Sequence, residues 1–307
     1  MSTILDREFL FVTGKGGVGK TTVAAALALA AVKRKKRVLL AMCNAKERLS
    51  HLLEVAPIGH ENVEVAPGLD AVNMTPASAL EEYGMLVLKV RSLYSAIFEN
   101  KFVAAVLRGT PGIEAWAMLG KAQFHVHERT PDGRRRYDLV IVDGPATGHA
   151  LDMLRVPQVL TKLAPPGLLR NEAEKARALF TDAHRSAIVL CTLPEDMPAN
   201  ETLELYEKLT RDVSMSPQAL VINGVVSKLF KAGEHEEIEA LPAKLEAHTR
   251  VRSLALAGRE RAIRERAQDA AIAKLKAALP DLPRTQLPLL FVPEFRRSAV
   301  ESLAEAF

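Results

Sequence analysis

"VTGKGGVGKTT", residues 12–22, stands between an apolar run and a stretch of helical composition. It fits G-x-x-x-x-G-K-[ST] with Gly14, Gly19, Lys20 and Thr21. A glycine-rich turn from strand to helix lets backbone N–H groups wrap a phosphate, with the helix N-terminus adding positive potential. In this reading Lys15, Gly16, Gly17, Val18, Gly19, Lys20 and Thr21 offer their N–H groups to the β-phosphate, with Thr22 following in the helix. Lys20 reaches the β- and γ-phosphates of ATP or ADP, and the Thr21 hydroxyl ligates Mg²⁺. Gly14, Gly16 and Gly19 also satisfy G-x-G-x-x-G, the dinucleotide fingerprint. That fingerprint asks for an acid at the end of the second strand, where this chain has Cys43 and Asn44, and it has no use for Gly19-Lys20-Thr21. The phosphate-loop reading accounts for more of the residues.

Outward from the loop, apolar runs recur between helical patterns: "FLFVT" (9–13), "RVLLAMC" (37–43), "YDLVIVD" (137–143), "AIVLC" (187–191), "ALVING" (219–224) and "LPLLFV" (287–292). Continuous rather than alternating apolar character suits parallel strands covered on both faces. Strand and helix in alternation predict an α/β fold, a doubly wound and mostly parallel sheet. Residues 75–130 interrupt the alternation with a long apolar helical stretch broken by "GTPG" (109–112). A second helical region, about 234–279, is rich in Glu, Lys, Arg and Ala. One domain over 1–307 with a helical subdomain at about 75–130 is the simplest account.

Composition excludes several classes. Net charge is +4, and the basic residues are mostly interspersed with acidic ones except in "KRKKR" (33–37) and "RRR" (134–136). Such short runs read as solvated helix ends or loops, not as a nucleic-acid footprint. Two cysteines, Cys43 and Cys191, argue against a disulfide framework and fit a reducing cytoplasm. "MSTILDREFLFV" (1–12) carries acidic residues and runs straight into a strand, unlike a targeting leader. The longest strongly apolar run, "VAAALALAAV" (23–32), is about half a membrane span. His125 and His127 form an H-x-H without a further ligand at plausible spacing, which favours a structural role over a metal site.

Lys15, a second lysine at the start of the loop, is the deviant signature of one branch of P-loop proteins, the branch of ParA, MinD, nitrogenase iron protein and ArsA. "IVDGPATGHALDMLRVP" (141–157) resembles the switch II element of the ArsA family, D-x-A-P-T-G-H-T-L-R-x-L-x-x-P, at Asp143, Thr147, Gly148, His149, Leu151, Leu154 and Pro157. That family contains arsenite-pump ATPases and the ATPases that deliver tail-anchored membrane proteins. The resemblance covers nearly the whole chain. It implies a dimeric ATPase in which Lys15 acts on the partner's nucleotide, by the logic of an arginine finger supplied in trans. It places Asp143 at Mg²⁺, Gly148 at a hinge that senses the γ-phosphate, and Asn223 of "LVINGVV" (220–226) at the adenine. "LPLLFVPEFRRSAVESLAEAF" (287–307) is similar to the family's adenine loop and last helix, with Pro293 and Phe295 in the loop.

Departures from the family carry as much weight as the matches. Over the switch I form S-T-D-P-A-H-x-L-S-D, Leu49 and Ser50 match, but Asn44 replaces the aspartate, Ala45 the proline and Glu47 the histidine. An amide can orient water but cannot take its proton, and losing that acid costs about 10²–10⁴-fold in rate. Either Glu47 takes over the role, or the chain is a weak ATPase that binds ATP and lends Lys15 to a competent ArsA-like paralogue in a heterodimer. Asp152 stands near the family's Arg, and Gly144 at a small-residue position. No C-x-x-C is present to clasp a zinc between subunits, and no cysteine cluster to hold arsenite, which takes soft thiolates. The apolar stripe of residues 78–107, from Leu80 to Leu107, reads as either a client groove or core packing. The expectation is a cytoplasmic ATP-dependent switch, homodimeric or heterodimeric, acting on a protein client or effector. Its rival is a non-catalytic ATP-binding scaffold.

Overall fold

Every residue of Phe9–Gly14 is buried, as is every residue of Val38–Cys43 and of Ser186–Thr192. Strands that are apolar on both faces fold only as the middle layer of three, and the rest of the chain supplies the outer two. The computed structural model describes residues 4–43, 47–76, 78, 79, 82, 113–231 and 233–307. In chain order the elements are β1 (Phe9–Gly14), α1 (Lys20–Lys33), β2 (Val38–Cys43), α2 (Leu49–Leu53), β3 (Val63–Ala66), β4 (Leu69–Met74), α3 (Ile113–His127), β5 (Leu139–Ala146) and α4 (Thr147–Leu163). There follow α5 (Leu168–Thr181), β6 (Ser186–Thr192), α6 (Asp196–Lys208), β7 (Ala219–Val225), α7 (Glu234–Ala240), α8 (Arg250–Ala278), β8 (Arg284–Pro288) and α9 (Arg297–Ala304).

The strands form one sheet of order β3-β4-β2-β5-β1-β6-β7-β8. Only the β3–β4 pair is antiparallel among the described strands. Alternate residues of β1 divide between two cores. Phe9 and Phe11 face one built with Leu119 of α3, Leu154 of α4, Leu179 of α5, Leu205 of α6 and Leu275 of α8. Leu10 and Val12 face the other, with Leu27 of α1, Leu53 of α2 and Leu303 of α9. Helices on both faces make the sheet doubly wound. α1 buries nine consecutive residues, Val23–Ala31, because it lies between the sheet and α9.

One expectation needs correction, and one element has no counterpart in the sequence reading. The apolar "LPLLFV" was expected as the last strand, but β8 is the polar segment Arg284–Pro288, which pairs Ile222 with Gln286. β8 is an edge strand with Gln286 and Pro288 exposed, and past Pro288 the chain leaves the sheet until Phe291 is 76% exposed. The hairpin of β3 and β4 went unread, since its turn is short and its first strand is mostly exposed. The helical stretch of residues 75–130 enters this description at its C-terminal end, as α3. Its apolar stripe lies largely outside the described residues.

The chain after β7 is held from α8. Gln268 donates from its amide to Val226 O and accepts from Val226 N–H, at 3.0 and 2.8 Å. The Glu265 carboxylate, fully buried, accepts from Leu229 N, Phe230 N, Arg261 Nε and His235 Nε2. Burial alone would raise its pKa, but Arg261, those two amides and His235 more than offset this and hold it below the usual carboxylate range. Glu265→Leu strands two backbone donors and a cation, so a loss of about 3 kcal/mol is expected in urea denaturation. A loss within about 0.5 kcal/mol, the range of an ordinary surface substitution, would contradict this reading.

Candidate functional site

The phosphate loop hangs between the C-terminal end of β1 and the start of α1, flanked in the sheet by β5 and β6. Gly14 pairs with Cys191 of β6, and a Cβ on Gly14 would lie 2.0 Å from the Cys191 carbonyl oxygen. Gly19, the residue preceding α1, holds φ +88°, a left-handed conformation that costs a side chain about 1–2 kcal/mol. The Asn223 amide of β7 crosses to the loop and donates to Val18 O at 2.9 Å, so close to Gly19 that a Cβ there would lie 2.3 Å from Nδ2.

Lys20 folds back over the loop, its ammonium donating to Lys15 O at 3.0 Å and Gly14 O at 3.3 Å. Burial pushes its pKa below the ordinary lysine value, and the nearby Asp143 carboxylate partly restores it. Thr21 donates to Asp143 Oδ2 at 2.6 Å. Asp143 is buried, which pushes its carboxyl up to about 6 against the opposing effects of Thr21 and Lys20. At neutral pH it is mostly ionised. A hydroxyl and a buried carboxylate side by side are hard oxygen donors of the kind Mg²⁺ takes.

β5 does not end at Asp143. It bulges past Val12 of β1 and continues to Ala146. The bulge explains Gly144: a Cβ there would lie 2.7 Å from Phe11 Cζ and 2.8 Å from Val12 O. Gly144 therefore answers to packing against β1. Thr147 opens α4, and Gly148 and His149 lie exposed in its first turn. Downstream, Arg155 of α4 pairs with Asp212 at 2.6 Å.

A pocket of about 210 Å³ opens beside the loop, lined by Gly17, Gly19, Thr22, Asn223, Leu290 and Phe295, among others. Pro293 is exposed and is not among the lining residues. Sequence reasoning missed Leu193, Gly224, Leu289 and Leu290, all of which line this pocket. For Leu289 and Leu290 the signal was the apolar "LPLLFV".

The switch I position Asn44 lies outside the described residues. Its candidate substitute Glu47 is engaged elsewhere: the carboxylate accepts from Ser50 N at 2.8 Å and Ser50 Oγ at 2.5 Å, in the first turn of α2. Lys15 extends to α6, donating to Glu201 Oε1 at 2.6 Å. No sequence signal pointed to Glu201, which is 186 residues away.

Other residues singled out by sequence find ordinary partners. His125 Nδ1 lies 2.6 Å from Glu128, and His127 Nδ1 lies 3.1 Å from Gln123 O. In "RRR", Arg134 pairs with Asp132, Arg135 with Glu8, and Arg136 with Glu128. Both cysteines are buried free thiols, and burial pushes Cys191 up to about 12. No described helix is long and apolar enough to cross a membrane.

A family model for anion-transporting ATPases matches residues 7–165, which span β1 to α4 and so include the glycine-rich loop and Asp143. An arsenical pump-driving ATPase of Acidiphilium multivorum is 28% identical over 311 residues, covering 96% of this chain and 48% of its own length. A putative ATPase of Mycobacterium bovis, Mb3704, is 29% identical over 205 residues, covering 65% of this chain and 60% of its own. The ATPase GET3 of Kluyveromyces lactis is 24% identical over 266 residues, covering 76% of each. The chain thus spans about half to three-quarters of the length of these relatives.

Proposed function

This chain belongs to the anion-transporting ATPase family, and on that premise we propose that it is an ATP-binding switch, working as a dimer on a protein client or effector, with hydrolysis impaired by Asn44. The observation that carries the reading is the Thr21–Asp143 hydrogen bond and the Lys20 ammonium folded over the loop, next to a pocket lined by Gly17, Gly19, Thr22, Asn223 and Phe295. In it, the loop from Gly14 to Thr22 holds the phosphates, and Lys20 neutralises their charge. Asn223 and Phe295 bind the adenine, the amide matching its paired donor and acceptor edge. Thr21 and Asp143 would hold Mg²⁺, which supplies charge neutralisation at the phosphate oxygens when bound. Lys15 acts across the dimer, and Gly148 lets switch II respond to the γ-phosphate.

The ligand of this site is a nucleotide, not arsenite. Arsenite takes thiolates, and burial holds both thiols of this chain protonated at neutral pH. A heterodimer with an active ArsA-like paralogue is the second reading. Glu47 favours it: with its carboxylate committed to Ser50, it is a poor substitute for the missing switch I acid. Co-purification of an ArsA-like chain that carries the switch I aspartate would select the heterodimer.

Calorimetric titration with ATP and GTP, with and without Mg²⁺, tests the reading. ATP is expected to bind with preference over GTP. Asn223→Ala is expected to weaken ATP by about tenfold and to erode the preference, since one amide contact is worth roughly 1.4 kcal/mol. Equal binding of ATP and GTP by the wild-type chain would refute the adenine role of Asn223. An absence of binding to either would refute the switch itself.

A further inference from the structure

We propose that Glu201 is a positioning residue for Lys15, holding its ammonium within the same subunit until a second nucleotide draws it away. The inference rests on the reading of Lys15 as a charge that acts across a dimer. It adds to that reading where Lys15 waits and what it must leave.

Two lysines of one loop take opposite courses. Lys20 folds inward onto the Gly14 and Lys15 carbonyls. Lys15 is drawn to α6, where its Nζ lies 2.6 Å from Glu201 Oε1 and 2.8 Å from Met197 Sδ. Both partners sit on the first turns of α6, an element fixed to the body of the protein. Pro198, Ala199, Thr202 and Leu205 are buried beneath it. Asp196 at its start pairs with Lys274 of α8 at 3.0 Å. Past its end the chain makes a π-helical turn, Leu209–Val213, where Asp212 pairs with Arg155 of α4. When the Lys15–Glu201 pair opens, the lysine is therefore the partner that moves.

The strength of the pair suits a threshold better than a lock. The side chains are 27% and 37% exposed. An ion pair that open to water shifts an equilibrium by about two- to fivefold. A single carboxylate holds Lys15 against solvent, but a triphosphate brings several negative charges to the same ammonium and wins at equal distance. Glu201 thus delays the transfer of Lys15 until a nucleotide-loaded partner is in place.

Two readouts on the full chain test this. Lys15 is acylated with limiting acetic anhydride and quantified by peptide mass spectrometry, with Lys20 as internal reference. Self-association is followed by sedimentation in Mg²⁺ and a non-hydrolysable ATP analogue. Glu201→Gln is expected to raise Lys15 acylation by about two- to fivefold and to lower the protein concentration for half-association by the same factor. In a Lys15→Ala background, Glu201→Gln is expected to leave association unchanged, which a merely structural role would not do. Unchanged acylation in Glu201→Gln, beside nucleotide-dependent association of the wild type, overturns the inference alone. An equal association shift in both backgrounds overturns it too. Raised acylation with no association of any variant defeats the dimer reading, and the transfer falls with it.

Discussion

Asn44→Asp is expected to raise ATP turnover by about 10²–10⁴-fold, the range a water-orienting acid commands. Attack on the γ-phosphate needs a water that is both aimed and able to shed a proton, and an amide can do only the first of these. The switch I acid nearest in sequence is Glu47, but its two oxygens take Ser50 N–H and Oγ–H at the head of α2. Releasing it would give up those two hydrogen bonds, at a cost of about 1 kcal/mol, before it could approach any water. Glu47→Gln is therefore expected to alter turnover less than twofold while Asn44→Asp transforms it. Phosphate release under single-turnover conditions, with ATP binding measured separately, decides the matter. Vigorous wild-type turnover that falls sharply in Glu47→Gln would sink the proposal and make Glu47 the base. Binding without turnover, rescued by aspartate, would make the wild-type chain a subunit that holds ATP and leaves its use to a partner.

How much of this was legible in the sequence depends on the kind of force involved. β1, β2, β5, β6 and β7 were readable because burial on both faces demands unbroken apolar runs, and runs of that length and composition suit little else in an α/β chain. β8 was misplaced for the same reason in reverse. An edge strand needs only one apolar face, while the loop after it is apolar because Leu289 and Leu290 line a pocket. Lys20, Thr21 and Asp143 were named together from motifs, and the fold does bring them within hydrogen-bonding reach of one another or of the loop. The same motif logic cannot see Glu201. Nothing in "MPANETLEL" (197–205) distinguishes that carboxylate from its neighbours until α6 is docked beside the loop. Gly144 reads as a departure from a family pattern in sequence, and as a contact with the Phe11 ring once β1 and β5 are side by side.

Gly14→Ala is expected to destabilise the fold by about 3 kcal/mol, the upper range for overpacking, whereas Gly16→Ala should stay within about 0.5 kcal/mol. Both glycines lie in the same loop, and membership of the loop alone ranks them equally. The structure separates them. A methyl at Gly14 would meet the Cys191 carbonyl at 2.0 Å, and backbone in the middle of a sheet cannot swing aside as a side chain can. Relief would require β1 and β6 to part where Gly14 pairs with Cys191, at the point from which the phosphate loop departs. A methyl at Gly16 would meet nothing within 4 Å. Gly19→Ala falls between. Its left-handed φ carries a penalty of about 1–2 kcal/mol, and the obstacle is the Asn223 amide, a side chain that can rotate away at the cost of its bond to Val18 O. Urea denaturation of the three variants without nucleotide gives the order directly. Equal losses at Gly14 and Gly16 would mean that β1 and β6 are not held at this spacing. Losses in the order Gly14, Gly19, Gly16 would mean that the first glycine of the motif serves the sheet and the later ones serve the ligand.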